Sequence, residues 1–269
     1  MAEYINSVSI TSIAAALCRA MGAQAPEQAA PANESLVQLV KTQTKAGQAD
    51  RLFMYNPDAI AMWLWQKYTE KFLPVACHTQ LTVPLYTVMP SVTPVCFGSL
   101  YTGALPEVHG IRRYEKPVIT IDTVFDALIR AGKRIAVLAD TGCSIAKIFL
   151  NRQMDYFIYD TLGEINQKAL ELIEKDEHDV IVVYHADYDA TMHKNGTEAA
   201  ISLAALDANV TAFDTFAQAI KAHWQQHDTL IGFAMDHGCH DIDGGCGSHG
   251  LDMSEDLNIV HFYGVFPAK

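Results

Sequence analysis

Three apolar runs in this chain each break off at an aspartate, and stretches of helical periodicity separate them. "RLFMYN" (51–56) ends at Asn-Pro-Asp, with Asp58 as the acid; "DVIVVY" runs into the polar loop that holds Asp189; "TLIGFAM" stops at Asp236. Runs of this length and apolarity read as strands buried on both faces. Between them, "DTVFDALIRAG" predicts a helix closed by Gly132 and followed by the strand "KRIAVLAD", which ends at Asp140. "EINQKALELIEK" predicts another helix, and a long one is expected from about Thr197 to Trp224. Strands alternating with helices give an α/β fold, a three-layer α/β/α arrangement around a mostly parallel sheet. "LNIVHFYGVF" is the last expected strand, read as a candidate for a sheet edge.

In such folds ligands sit beyond the carboxyl ends of the strands. The acids Asp58, Asp189 and Asp236 all belong to that rim. Three carboxylates gathered there repel one another unless a cation lies between them, which is the first argument for metal. The net charge of −12 excludes the basic face that a binder of nucleic-acid polymers needs. No run of eighteen apolar residues is present to cross a membrane, and the N-terminus lacks the basic start of a secretory signal. Six cysteines without paired spacing fit reduced thiols in a cytoplasmic protein. The whole chain, 1–269, reads as one domain in which a mainly helical segment, 1–50, precedes a catalytic core, 51–269. Within that segment "ITSIAAALCRAMG" is expected to form an amphipathic helix ending at Gly22.

Three stretches carry candidate chemistry. In "PSVTPVCFGSLYTGALPEVHGI" (90–111) Thr93 precedes a proline, a favourable helix start with threonine as N-cap. A hydroxyl there faces the positive end of the helix, although most residues in that position are only caps. In "DYDATMHKNG" Asp189 and His193 stand four apart, so on a helix they share a face and can share a zinc ion. "DHGCHDIDGGCGSHG" (236–250) offers Asp236 and His237 where a buried strand ends, and its glycines let the chain turn back to bring in His249. Cys239 and Cys246 keep a closed structural zinc site open at this point, although such sites usually employ two well-spaced ligand pairs. Arg112, Arg113 and Lys116 follow "HGI" and either meet a negative group of a substrate or form a solvated cluster. His109 is read as holding its own loop, and His240 and His261 as polar fillers.

Asp58, then "VTPVCFGSLYTGALPEVHGI", then "DYDATMHKNG", then "DHG" and "GSHG" occur in an order that resembles the alkaline phosphatase superfamily. The resemblance, over about 51–263, is to its type I phosphodiesterase/nucleotide pyrophosphatase branch. It implies two divalent metal ions, zinc first and manganese second. One would be held by Asp189, His193 and His249, and the other by Asp58, Asp236 and His237. About 4 Å apart, such ions clamp an in-line displacement. It also implies that Thr93 is the nucleophile, attacking phosphorus to give a phosphothreonine that water then hydrolyses. The substrate would be a small phosphate ester or nucleotide.

Two departures stand out. The asparagine that these phosphodiesterases carry three residues after the nucleophile is Cys96 here, which puts Cys96 and Arg112 forward as the weaker candidates for contact with substrate. The twelve-residue step from His237 to His249 is short, closer to the metal-dependent phosphomutases of the superfamily. A phosphomonoesterase or phosphomutase therefore stands beside the phosphodiesterase. A module that binds metal without catalysis is the reading from another class, and the intact Thr93 with all six ligands speaks against it.

Overall fold

The apolar runs form the middle of a seven-stranded sheet in the structure, a computed structural model whose described residues are 4–269. Helices α1 (Ser12–Ala20) and α2 (Glu34–Gln43) precede β1 (Arg51–Pro57). Short helices α3 (Met62–Lys67) and α4 (Leu73–Ala76) lead to β2 (Leu81–Tyr86), and α5 (Thr93–Thr102) and α6 (Pro106–His109) follow it. The alternation then becomes regular, with α7 (Val124–Arg130), β3 (Ile135–Asp140), α8 (Ser144–Ile148), β4 (Asp155–Tyr159), α9 (Leu162–Lys175) and β5 (Val180–His185). Helices α10 (Asp187–Asn195) and α11 (Ala200–His223) lead to β6 (Thr229–Ala234). A hairpin of β7 (His240–Ile242) and β8 (Cys246–Ser248), a turn of helix α12 (Ser254–Leu257) and β9 (Asn258–Phe266) complete the chain.

The strand order is β2-β9-β6-β1-β5-β3-β4. Strands β6, β1, β5, β3 and β4 run parallel, and β9 and β2 are antiparallel additions at one side. The three central strands are buried along their whole length apart from the first residue of β1, which explains their unbroken apolar runs. The register pairs Pro57 with His185 and Tyr55 with Phe233, so β1, β5 and β6 all end at one rim. The expectation of an edge position for β9 is corrected. Strand β2 covers it, and seven of its nine residues are buried.

Helix α1 buries seven of its nine residues, more than one face of an amphipathic helix would, and packs against α5 and α7. At Gly103 a side chain would meet the Cβ of Ala29 at 2.6 Å and that of Ala14 at 3.0 Å, so the N-terminal segment lies directly against the end of α5. Among the described residues no helix is long and apolar enough to cross a membrane, and all six cysteines are unpaired.

Candidate metal centre and nucleophile

Adjacent parallel strands deliver the functional side chains. Asp58 follows β1, Asp236 and His237 follow β6, and Asp189 and His193 project from α10, which starts two residues after β5. His249 arrives from the hairpin side. Gly244 and Gly245 adopt positive φ at its turn, and Gly247 packs so tightly on α10 that an added Cβ would stand 2.6 Å from Met192 Sδ. These residues form two groups of close potential ligand atoms, Asp58/Asp236/His237 and Asp189/His193/His249. His237 Nε2 stands 3.3 Å from both Asp58 Oδ1 and Asp236 Oδ2. In the other group Asp189 Oδ1 is 3.2 Å from His193 Nε2 and 3.4 Å from His249 Nε2. The stacked rings of His237 and His249, centroids 4.1 Å apart, join the two groups.

Each histidine ring is oriented by a backbone carbonyl. Nδ1 of His193 faces Gly247 O at 3.0 Å, that of His237 faces Gly238 O at 3.0 Å, and that of His249 faces Ser91 O at 2.9 Å. A carbonyl only accepts, so Nδ1 carries a proton and Nε2 is the nitrogen turned toward the cluster, where the neutral form of the ring offers a lone pair. One oxygen of each aspartate, Asp58 Oδ1, Asp189 Oδ1 and Asp236 Oδ2, is buried with no hydrogen-bond partner. The second oxygens of Asp58 and Asp236 are occupied. Asp58 Oδ2 accepts from Tyr184 Oη and from Thr93 Oγ1, and Asp236 Oδ1 accepts from Ala59 N. Burial, and then the neighbouring carboxylates, push Asp58 up and Asp236 well above the usual carboxylate range. Lone pairs and unpartnered anionic oxygens converging on two points are what a pair of divalent cations requires, and a hard Asp/His donor set suits zinc or manganese. The residues fit the ions.

Thr93 stands against the first group, its Oγ1 3.3 Å from Asp58 Oδ2 and 3.4 Å from His237 Nε2. It is the first residue of α5, and Val92 rather than Thr93 is the N-cap. The hydroxyl is therefore turned to the cluster instead of closing the helix end. A cleft of about 250 Å³ opens beside it. Asp58, Thr93, Tyr184, Ala186 and Asp189 line it together with Tyr114, Lys116, Asp140 and residues 141–144.

The weaker candidates fall outside this cleft. Cys96 is wholly buried with Sγ 3.9 Å from Val88 O, because all ten residues of α5 are enclosed and its fourth position turns into the protein. Arg112 is exposed and bonds Glu107 O at 3.2 Å, held back along α6. The cysteines of the 236–250 stretch are not ligands in either group: Cys239 is buried against Tyr188 Oη, and Cys246 Sγ contacts Lys194 O. Lys116, for which the sequence leaves open a substrate contact or a solvated cluster, lines the cleft, and Asp140 is the cleft residue not singled out as a site candidate. Asp140 also ends a buried strand, and that signal was available; burial, then Asp187, raises it to about 6. His109 holds its own loop, through Ser99 Oγ and Ile111 N, as expected.

No protein-family model matches the chain, and no curated protein matches it. Solved structures do. Murine ectonucleotide pyrophosphatase/phosphodiesterase 5 superimposes with a TM-score of 0.57 at 15% identity, over 72% of this chain and 58% of that one. The human protein of that name gives 0.58 at 15% identity over 72% and 58%. Phosphonoacetate hydrolase from Sinorhizobium meliloti, in complex with phosphonoformate, gives 0.51 at 15% identity over 74% and 59%. The fold is alkaline phosphatase-like. The chain spans under three fifths of the length of these neighbours. This alkaline phosphatase-like core accounts for the rim at which the two ligand groups meet.

Proposed function

We propose that the protein is a two-metal phosphohydrolase with Thr93 as its nucleophile, cleaving a small phosphate ester or nucleotide. The observation that carries this reading is the placing of Thr93 Oγ1 within 3.4 Å of Asp58 and His237, beside the second group of Asp189, His193 and His249. Asp58, Asp236 and His237 would hold one divalent ion, and Asp189, His193 and His249 the other. When bound, the ions supply the positive charge that offsets the charge developing on the phosphoryl oxygens.

The chain's own groups do the rest. Asp58 Oδ2 accepts the Thr93 proton and orients Oγ1 toward the cleft, and Tyr184 fixes that carboxylate from below. Oγ1 forms a bond to phosphorus as the bond to the leaving oxygen breaks, and the leaving group departs with the electron pair. Water then attacks the phosphothreonine, returning the Thr93 hydroxyl and releasing phosphate or a phosphomonoester. The inactive threonine-to-alanine form of the murine neighbour, in complex with AMP, supports a threonine role and a phosphate ligand. Zinc is the favoured ion, since carboxylate and imidazole ligands suit it. Six unpaired thiols support a reducing, cytoplasmic setting.

The test is metal analysis of the purified protein with hydrolysis of bis-p-nitrophenyl phosphate and p-nitrophenyl phosphate, for wild type and Thr93→Ala. About two ions per chain and turnover abolished by the substitution is the expected result. Turnover that survives Thr93→Ala would overturn the nucleophile.

A further inference from the structure

The cleft beside Thr93 contains one cationic side chain. Lys116 is half-buried in its lining, where Nζ donates to Gly142 O at 2.9 Å and lies 5.3 Å from the centre of the Tyr114 ring. Among the described residues no carboxylate stands within ion-pair distance of it, although the chain carries a net charge of −12 and the cleft is lined by Asp58, Asp140 and Asp189. The two arginines nearby behave differently: Arg113 is paired with Glu115 at 2.9 Å, and Arg112 lies outside the cleft, donating to Glu107 O of α6. An ammonium group has three donors, so one carbonyl leaves two unused.

The sheet order gives this lysine a direction relative to the nucleophile. Strands β6, β1, β5 and β3 are neighbours in that sequence, so Asp236 and Asp58, which follow β6 and β1, and Asp140, which ends β3, lie in that order along the rim, with Asp189 on α10 after β5. Thr93 contacts Asp58 and His237, at the β1/β6 end. In an in-line displacement the leaving group departs on the side opposite the nucleophile. The cleft that opens beside Thr93 takes in Asp140 and residues 141–144 at the end of β3, where Gly142 holds Lys116, and takes in neither Asp236 nor His237. The volume of about 250 Å³ is below the 300–1,000 Å³ common for sites of drug-sized ligands, which limits the occupant to a compact molecule.

We propose that Lys116 is a specificity-determining residue that binds an anionic group on the leaving portion of the substrate. The preferred substrate is then a compact phosphoryl compound whose leaving group itself carries a carboxylate or a second phosphate. The inference rests on the phosphohydrolase reading. Lys116 takes no proton and forms no bond in the reaction: it pairs with the substrate's second charge before and during departure.

The experiment compares p-nitrophenyl phosphate, whose leaving group is uncharged before the bond breaks, with 2-phosphoglycolate and inorganic pyrophosphate. Each is tested on metal-loaded wild type, Lys116→Met and Lys116→Arg, with thermal unfolding to confirm that the variants fold. Loss of a charged hydrogen bond predicts a KM increase of about 10- to 100-fold in Lys116→Met for at least one charged substrate. The change for p-nitrophenyl phosphate stays under about threefold, and Lys116→Arg restores most of the loss. Which charged compound responds tells carboxylate from phosphate. Equal losses on all three substrates would assign Lys116 to the transferred phosphoryl group and overturn the proposal, as would no loss on any.

Calorimetric Kd values for the two charged compounds in Thr93→Ala and Thr93→Ala/Lys116→Met separate this inference from the reaction. Binding that depends on Lys116 without turnover of any substrate in wild type would reject the hydrolase and keep the anion site. Turnover with neither KM nor Kd dependent on Lys116 would do the reverse.

Discussion

The Nε2 atoms of His193 and His249 stand 3.1 Å apart while each ring gives its Nδ1 proton to a backbone carbonyl. With both rings neutral the two Nε2 lone pairs face one another and repel, and a cation between them turns that repulsion into two bonds. Metal is therefore expected to contribute to stability. Two sites each filled at a hundredfold excess over Kd stabilise the fold by about 5 kcal/mol together. Chelation should lower Tm by about 10 °C for a chain of this size, read by scanning calorimetry with and without a chelator. His249→Ala should leave about one ion per chain by elemental analysis.

Thr93→Ala should reduce kcat by about 10³-fold or more while leaving metal content unchanged, because the hydroxyl approaches the first ligand group without belonging to it. Thr93→Ser keeps the oxygen and should retain measurable turnover. Single-turnover kinetics with acid-trapped phosphoprotein checks both.

A buried chain of hydrogen bonds fixes the start of α10. Asn209 Nδ2 donates to Asp187 Oδ1 at 2.7 Å, Tyr55 Oη donates to Asn209 Oδ1 at 2.9 Å, and that hydroxyl is 2.7 Å from His185 Nδ1. Asp187 opens the helix that carries Asp189 and His193. Asn209→Leu leaves Asp187 without this donor, and should cost about 1–3 kcal/mol in urea unfolding. Zinc affinity at the Asp189/His193/His249 group should fall about tenfold, as for other supports behind ligands, with the Asp58/Asp236/His237 group little changed. Stepwise zinc titration reads both sites.

Stability should also respond to acid through His261. Burial lowers it from 6.5 to about 4, and its ring nitrogens are taken by Met235 O and Tyr263 Oη. The unfolded chain binds a proton below pH 6.5 while the folded ring stays neutral, so acid favours unfolding. The contribution is intact above 6.5, falls as the pH drops toward 4, and is constant below that. The stability difference between wild type and His261→Gln should shrink by on the order of 3 kcal/mol across this window, measured by urea titration at each pH.

Much of the site was legible because buried strands announce themselves and the residue after each one is forced to the rim. Asp58, Asp189 and Asp236 were read in that way, and the i, i+4 spacing of Asp189 and His193 needed only a helix to become a pair of ligands. The same reasoning applied to Asp140 and was not carried through. Cys96 could not be placed by counting from Thr93, since a helix buried on every side has no outward face to count along. Lys116 was legible only as an alternative, a contact to a negative group of a substrate or a member of a solvated cluster. Its loop is brought to the cleft by Gly142, a contact between segments 26 residues apart that no local pattern encodes. The edge reading of β9 failed because β2 lacks a long apolar run, its burial alternating along a strand that contains Pro84.

The neighbouring strands β1 and β5 also act as a gauge. Asp58 leaves one and Asp189 follows the other, so the separation of the two ligand groups is tied to the inter-strand repeat of about 4.8 Å. Backbone hydrogen bonds set that repeat whatever side chains surround it. Exchange of the loops at 112–116 and 140–144 is thus expected to change what the cleft accepts while the interval between the two groups of potential ligands stays constant.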